Sequence, residues 1–391
     1  MKGEQFKSFS VPTQVRFGAG ASREAGAIAH ELGATRVFAV IDQGVARAGL
    51  LEPALASIRA AGLPLGVYDE VRSDPTLADI MRVSNELVAF GADCVVTAGG
   101  GSGLCTGRGA ALAATNGGDI RPYVGADKYP HAPLPVIAIP TTAGSGSEVS
   151  KHVTLSDERT LQKTGVDGYS NAPRHALLDP DLVQSVPQSQ AIASGVDAFL
   201  HAFEAYLSKR ATPLTDSIAL AAFADIWRLL PLALSGDADA KGKMLFASTM
   251  ANIACGNAGL TLVHGMNGAV TYCYRARGHQ PVAYGMIHGA LLPPVLRFYL
   301  PAAVERLAPL APLIGLPETG TTETRAGAVV DAIIDWVRGL GVPALLPWGR
   351  IPDADIELII DETLNRQRPS PREATRADLR AIVLEALGAV A

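Results

Sequence analysis

Apolar and polar positions alternate in blocks through the first half of the chain. Thr35–Asp42 (TRVFAVID) is a short β-rich apolar run, followed by the helix-periodic LLEPALASIRAAG and then the strand-like LPLGVYDEV. The rhythm continues through LADIMRVSNELVAFGA, CVVTAGGGSG, GRGAALAAT and PVIAIPTTAG. Strands separated by helices of about ten residues or more predict parallel pairing with right-handed crossovers, hence an α/β sheet. From about Pro187 the pattern changes. Segments rich in Ala and Leu follow, among them AIASGVDAFLHAFEAYLSK, PLTDSIALAAFADIWRLLPLAL and GAVVDAIIDWVRGLG, with almost no strand signal. The chain is therefore expected to divide into a Rossmann-like parallel α/β domain over residues 1–186 and an all-helical domain over residues 187–391.

One helix-periodic stretch carries candidate chemistry. ASGVDAFLHAFEAY (Ala193–Tyr206) places Asp197 and His201 four residues apart. At about 3.6 residues per turn such a pair shares one helix face, where a carboxylate and an imidazole can hold one divalent cation. The pair alone is compatible with a plain hydrogen bond. His264, His279 and His288 are the later histidines that can join it. An Asp/His₃ set of N and O donors suits Fe²⁺ or Zn²⁺ better than Mg²⁺ or Ca²⁺.

Two loops point to a nucleotide. Gly99, Gly100, Gly101 and Ser102 follow the strand CVVTA and precede a helix, where backbone N–H groups and the helix N-terminus favour a phosphate. The spacing fits neither GxGxxG nor a Walker A loop. Asp42 ends the strand TRVFAVID, where a carboxylate can accept a hydrogen bond from a ribose 2′-OH. IPTTAGSGSEVS (Ile139–Ser150) offers the hydroxyls of Thr141, Thr142, Ser145 and Ser147 after another strand.

Composition narrows the classes. Hydrophobic residues at 48% and charged residues at 18% describe an ordinary globular chain. The net charge of −5 and pI near 5.9 argue against nucleic acid or an anionic membrane as partner. No uninterrupted apolar run approaches roughly 18 residues, and the N-terminal MKGEQFKSFSVPTQ lacks a signal-peptide core, so a cytoplasmic location is expected. Four cysteines without CxxC spacing read as reduced thiols.

Taken together, these motifs resemble the iron-containing (group III) alcohol dehydrogenase family. The carriers are FGAG, IDQGVARAGL, DPT, GGGS, ATNGGDI, IPTTAGSGSEVS, LLDP, ASGVDAFLHAFEAYLSKRATPLTD and LLPPVLRFYLPAAVERLAPLA, in order along nearly the whole length. The resemblance implies an α/β nucleotide domain joined to a helical metal domain, a dehydroquinate synthase-like build. It also implies NAD(H) and a divalent metal, Fe²⁺ or Zn²⁺, as cofactors. The implied activity is hydride transfer between a small-molecule alcohol and an aldehyde or ketone, in a homodimer or larger homo-oligomer. Gly99–Ser102 would hold the pyrophosphate, with Asp42, Thr141, Thr142 and Ser147 completing the cofactor site. Asp197, His201 and His264 match three metal ligands. Lys163 matches a lysine near the nucleotide, and with His279 and His288 it makes up the candidate catalytic side chains.

The departures are informative. In the family's GGGSxxDxxK, Cys105 replaces Asp and Arg108 replaces Lys, and Gly268 stands where HxxxH has its second histidine. Maleylacetate reductases also lack that Asp, so a metal-independent reductase of that kind is the alternative. The fourth ligand lies among His279, Tyr284 and His288. HQPVAYGM resembles a segment of glycerol dehydrogenases and dehydroquinate synthases, which favours His279.

Overall fold

The computed structural model of the chain describes residues 8–279, 282–366 and 368–389, so Gln280 and Pro281 of HQPVAYGM lie outside it. The first part alternates strand and helix as its apolar blocks predict. In chain order it runs β1 (Gln14–Phe17), α1 (Ala25–Glu31), β2 (Val37–Asp42), α2 (Gln43–Arg47), α3 (Glu52–Ala60), β3 (Leu65–Val71), α4 (Leu77–Phe90), β4 (Cys94–Gly99) and α5 (Gly101–Thr115). Then come β5 (Gly125–Ala126), β6 (Val136–Pro140), β7 (His152–Ser156), β8 (Lys163–Asp167) and β9 (His175–Leu178). Six strands form one sheet in the order β1-β9-β6-β4-β2-β3, every pair parallel. Strands β2, β4 and β6 are almost wholly buried because helices cover both faces, which is why they read as continuous apolar runs.

After β2 the chain steps outward to β3, then returns to place β4 on the other side of β2. The strand order reverses there, so a crevice opens between the carboxyl ends of β2 and β4. Asp42 and Gly99 end those two strands. One feature differs from the all-parallel expectation. β5, β8 and β7 form a separate small sheet in which β7 and β8 pair antiparallel. Their connection is short, and a short connection permits a hairpin where a parallel crossover needs about a dozen residues.

Among the described residues no strand follows β9. The helices are α6 (Gln188–Leu207), α7 (Pro213–Leu234), α8 (Ala238–Ala258), α9 (Leu262–Ala276), α10 (Tyr284–Leu307), α11 (Thr322–Gly339), α12 (Asp353–Asn365) and α13 (Arg376–Ala386). They enclose one large apolar core built around α6. From Gly195 to Ser208 every α6 position and its cap are buried except Asp197. α7 and the stretch from α10 to Leu310 are long and apolar enough by length and composition to cross a membrane, yet both contribute to this core.

Candidate metal centre and cofactor cleft

The core places a polar cluster at its edge. Asp197 and His201 share a face of α6, as their spacing predicts, with His201 Nε2 at 3.9 Å from Asp197 Oδ2. His264 enters from the first turn of α9, its Nε2 at 3.4 Å from Asp197 Oδ1. The ligand atoms of Asp197, His201 and His264 all lie within 4.8 Å of one another. His288, on the second turn of α10, brings Nδ1 to 3.4 Å from Asp197 Oδ1 and its ring centroid to 4.3 Å from that of His264.

His279 is not in this group. It is exposed beyond the end of α9, with its ring centroid 4.8 Å from Tyr274 and 6.4 Å from Trp348. The expectation that His279 completes the set, and acts in catalysis, therefore does not fit its position. The reason is helix geometry. The twelve residues from His264 to Ala276 carry the chain about 18 Å along α9 at 1.5 Å per residue. α10 nevertheless starts beside Asn267, whose Nδ2 donates to the Tyr284 carbonyl at 2.9 Å. That contact brings His288, one turn further along α10, to the cluster.

Sequence reasoning missed Glu204. It lies seven residues after Asp197 and three after His201, on the same face of α6. Its Oε2 accepts from His264 Nδ1, while Oε1 accepts from Thr261 Oγ1 at 2.6 Å and from the Val263 amide at 2.9 Å. The i, i+4, i+7 spacing of Asp, His and Glu in DAFLHAFE was the available signal. With Nδ1 donating to Glu204, His264 Nε2 is left facing Asp197, as a ligating imidazole oriented by a carboxylate requires.

The electrostatics fit a missing cation. Burial favours the neutral acid at Asp197, but His201, His264 and His288 outweigh it and hold the carboxyl well below the ordinary range. Burial lowers the His264 pKa, but the Glu204 and Asp197 carboxylates reverse this and raise it to about 9. Burial, and then the neighbouring His264, push His288 down to about 3. Asp197 Oδ1, His201 Nδ1, His264 Nε2 and both ring nitrogens of His288 are buried without a hydrogen-bond partner among the described residues. Buried polar atoms are rarely left so, and a shared divalent ion would satisfy Asp197 Oδ1, His264 Nε2 and one ring nitrogen of His288. Asp197 keeps 17% of its side chain accessible where His288 has none, so the cluster is open on one side. An open side is what a catalytic rather than structural metal site needs.

The cofactor loops stand on the adjoining wall. Gly99 has φ 143°, and a Cβ there would lie 2.7 Å from Asp42 Cβ, so only glycine lets β2 and β4 converge at the crevice. α5 begins at Gly101, which puts Gly100, Gly101 and Ser102 at a helix N-terminus. Thr142 Oγ1 approaches to 3.2 Å of where a Gly100 side chain would start. The Thr141 amide donates to the Gly99 carbonyl at 3.0 Å, binding the two loops together. A Cβ at Gly144 would meet Ser194 Cβ at 2.5 Å, so this loop packs directly on α6 one turn before Asp197.

Ser147 departs from its expected role. Its hydroxyl points inward, accepting from Arg108 Nη1 at 3.0 Å and contacting Cys105 Sγ at 3.3 Å. Arg108 is completely buried and donates also to the carbonyls of Ser147, Ser150, His152 and Asn171. A guanidinium in a dry interior needs that many acceptors, and Ser147 is one of them. Lys163, on β8, pairs with Asp74 at 2.8 Å and lies 5.1 Å above the Tyr284 ring. Tyr284 in turn packs edge-on against His288, with ring centroids 5.8 Å apart. Asp74 also binds Arg275 of α9 and accepts from Ser156 Oγ at 2.6 Å, and its amide donates to Ser102 Oγ at 3.1 Å.

Comparison with known proteins gives two family matches along the chain. Residues 12–180 match the family described as iron-containing alcohol dehydrogenase, and residues 191–387 match the C-terminal region of the Fe-containing alcohol dehydrogenase family. The chain belongs to the iron-containing alcohol dehydrogenases. Among relatives of this dehydrogenase, the NAD-dependent methanol dehydrogenase of Bacillus methanolicus is 32% identical over 97% of this chain and 100% of its own. The 1,3-propanediol dehydrogenase of Klebsiella pneumoniae is 31% identical over 97% of this chain and 98% of its own. A solved structure of a 1,3-propanediol oxidoreductase superposes with a TM-score of 0.92 at 30% identity, covering 98% of this dehydrogenase and 100% of that chain.

Proposed function

We propose that the protein is an NAD(H)-dependent, metal-assisted oxidoreductase interconverting an alcohol and an aldehyde or ketone by hydride transfer. The observation that carries this reading is the cluster of Asp197, His201, His264 and His288, with its unpartnered buried atoms, beside the glycine loop at the sheet's switch point. When bound, the metal supplies Lewis acidity at the reacting oxygen and NAD(H) supplies the hydride acceptor or donor.

The chain's own residues do the rest. Asp197, His201, His264 and His288 would hold the metal, and Glu204 orients His264 for it. The amides of Gly99–Ser102 would hold the pyrophosphate, and Asp42 would accept from the ribose while repelling a 2′-phosphate. Buried α6 and α10 side chains keep water from the closed side of the site. Lys163 fixes the Tyr284 ring beside His288. Gly268 provides no base, so the alcohol proton must leave through another group or through water on the open side.

A cytoplasmic homodimer or larger homo-oligomer belongs to the same proposal, supported by composition and by the family resemblance, and light scattering tests the assembly. The decisive experiment loads purified protein with metal and titrates NADH by fluorescence, then follows alcohol-dependent NADH formation. Expected are about one metal per chain, NADH binding and turnover. A metal-loaded, folded protein that does not bind NADH overturns the reading.

A further inference from the structure

Gly265 and Gly268 lie three residues apart on α9, on the helix face next to the ligand His264. A Cβ at Gly265 would stand 3.3 Å from Arg368 Cγ, and one at Gly268 would stand 3.3 Å from Arg366 Nη1. The two absent side chains leave a furrow along the metal-binding helix, and two arginines fill it. Gly268 is also where the resemblance leads one to expect a histidine, so a guanidinium occupies the space an imidazole would take. Arg366 and Arg368 come from the segment after α12, and with Leu364 and Asn365 they line an open cavity of about 500 Å³.

These charges are only partly matched. Arg366 Nη2 lies 3.4 Å from Glu362 Oε2, and its buried Nε has no partner among the described residues. The Arg368 carbonyl accepts from the Ser370 amide at 2.7 Å, but its guanidinium makes no hydrogen bond or ion pair among the described residues. It is exposed to solvent where it lines the open cavity, with its stem laid against α9. There burial lowers its pKa, Glu204 pulls it back up and Arg366 pushes it down again. Neighbouring cations in a half-dry cleft repel unless an anion joins them. Glu362 offsets one of the two charges, and Glu204, which acts on the other, is already committed to His264, which leaves a place for one further negative group. Guanidinium forks match a carboxylate in bidentate geometry. The other arginines of this region are spoken for, Arg275 by Asp74 and Arg277 by Asp355.

We propose that Arg366 and Arg368 recognise a carboxylate at the far end of the substrate, so that the compound turned over is a short ω-hydroxy or ω-oxo acid. The stem of Arg368 crosses Gly265, the residue next to His264, so the two guanidiniums flank the helix that carries this candidate metal ligand, and a short substrate is the kind the pair selects. This rests on the oxidoreductase reading above and names the substrate class for it.

The test compares 4-oxobutanoate with its neutral counterpart butanal, using metal-loaded protein and NADH. Wild type should favour 4-oxobutanoate by about tenfold or more in kcat/KM, and Arg368→Met should bring that ratio close to one. Methionine keeps an apolar stem over Gly265. Arg228→Met, which removes an exposed arginine on α7, should leave the ratio as in wild type. Equal preference in wild type, or a ratio that Arg368→Met leaves unchanged, overturns the proposal. Calorimetry with succinate on the NADH-bound protein separates this inference from the one beneath it. If neither aldehyde is reduced, the oxidoreductase reading fails. Succinate binding that Arg368→Met weakens about tenfold still supports the anion site. Succinate that does not bind, or binds both proteins alike, overturns it.

Discussion

Glu204 on α6 and His264 on α9 share a buried hydrogen bond, imidazole Nδ1 donating to carboxylate Oε2. The bond sets the tautomer of His264 and turns Nε2 toward Asp197. Glu204→Gln keeps the shape but removes the negative charge and offers an amide that can donate. Metal affinity is expected to fall about 10–100-fold, read by competition with a chromogenic chelator. Unchanged affinity would mean that the pair serves only to fasten two helices.

His288 and His279 make opposite predictions. His288→Ala removes an imidazole at 3.4 Å from Asp197, and metal per chain should drop by at least about half, measured by mass spectrometry of the dialysed protein. His279→Ala removes an exposed ring tilted against Tyr274, and metal content should stay at the wild-type level. Loss of metal in the His279 variant alone would restore the assignment that the sequence favours.

Asp42 should govern the choice of dinucleotide. Its Cβ sits against Gly99, so a ribose held by the glycine loop lies within its reach. Asp42→Ala removes the repulsion of a 2′-phosphate and a ribose acceptor together. The ratio of kcat/KM for NAD⁺ over NADP⁺ should fall by about tenfold, near 1.4 kcal/mol. A ratio insensitive to the substitution would place the ribose elsewhere.

Arg108 is a stability determinant rather than a phosphate ligand. Its guanidinium donates to four carbonyls and the Ser147 hydroxyl in a dry interior. Arg108→Met leaves those acceptors unpaired at a cost of about 3 kcal/mol or more, so Tm should fall markedly while NADH affinity of the folded protein persists. A variant with wild-type Tm would contradict this.

Local patterns made part of this arrangement legible. Asp197 and His201 could be paired from spacing alone because helix periodicity fixes which residues share a face. Asp42 and Gly99–Ser102 could be placed because each ends an apolar run at the same edge of a parallel sheet. The fourth imidazole could not be read in this way. Its identity depends on where α10 starts relative to α9, and periodicity carries no information about that. Ser147 looked like its hydroxyl neighbours in sequence, and only the buried Arg108 behind it shows that it faces inward. Arg366 and Arg368 gave no local sign, because the two glycines that receive them lie about a hundred residues earlier.

Five of the cluster's buried polar atoms, on the three helices α6, α9 and α10, have no hydrogen-bond partner among the described residues. An ion that binds only the folded chain adds about 2.7 kcal/mol when its free concentration is a hundredfold above its dissociation constant. Total stabilities run to only about 5–15 kcal/mol. Starving the cell of metal would thus thin the protein's population through unfolding and proteolysis, and its abundance would report the iron or zinc supply.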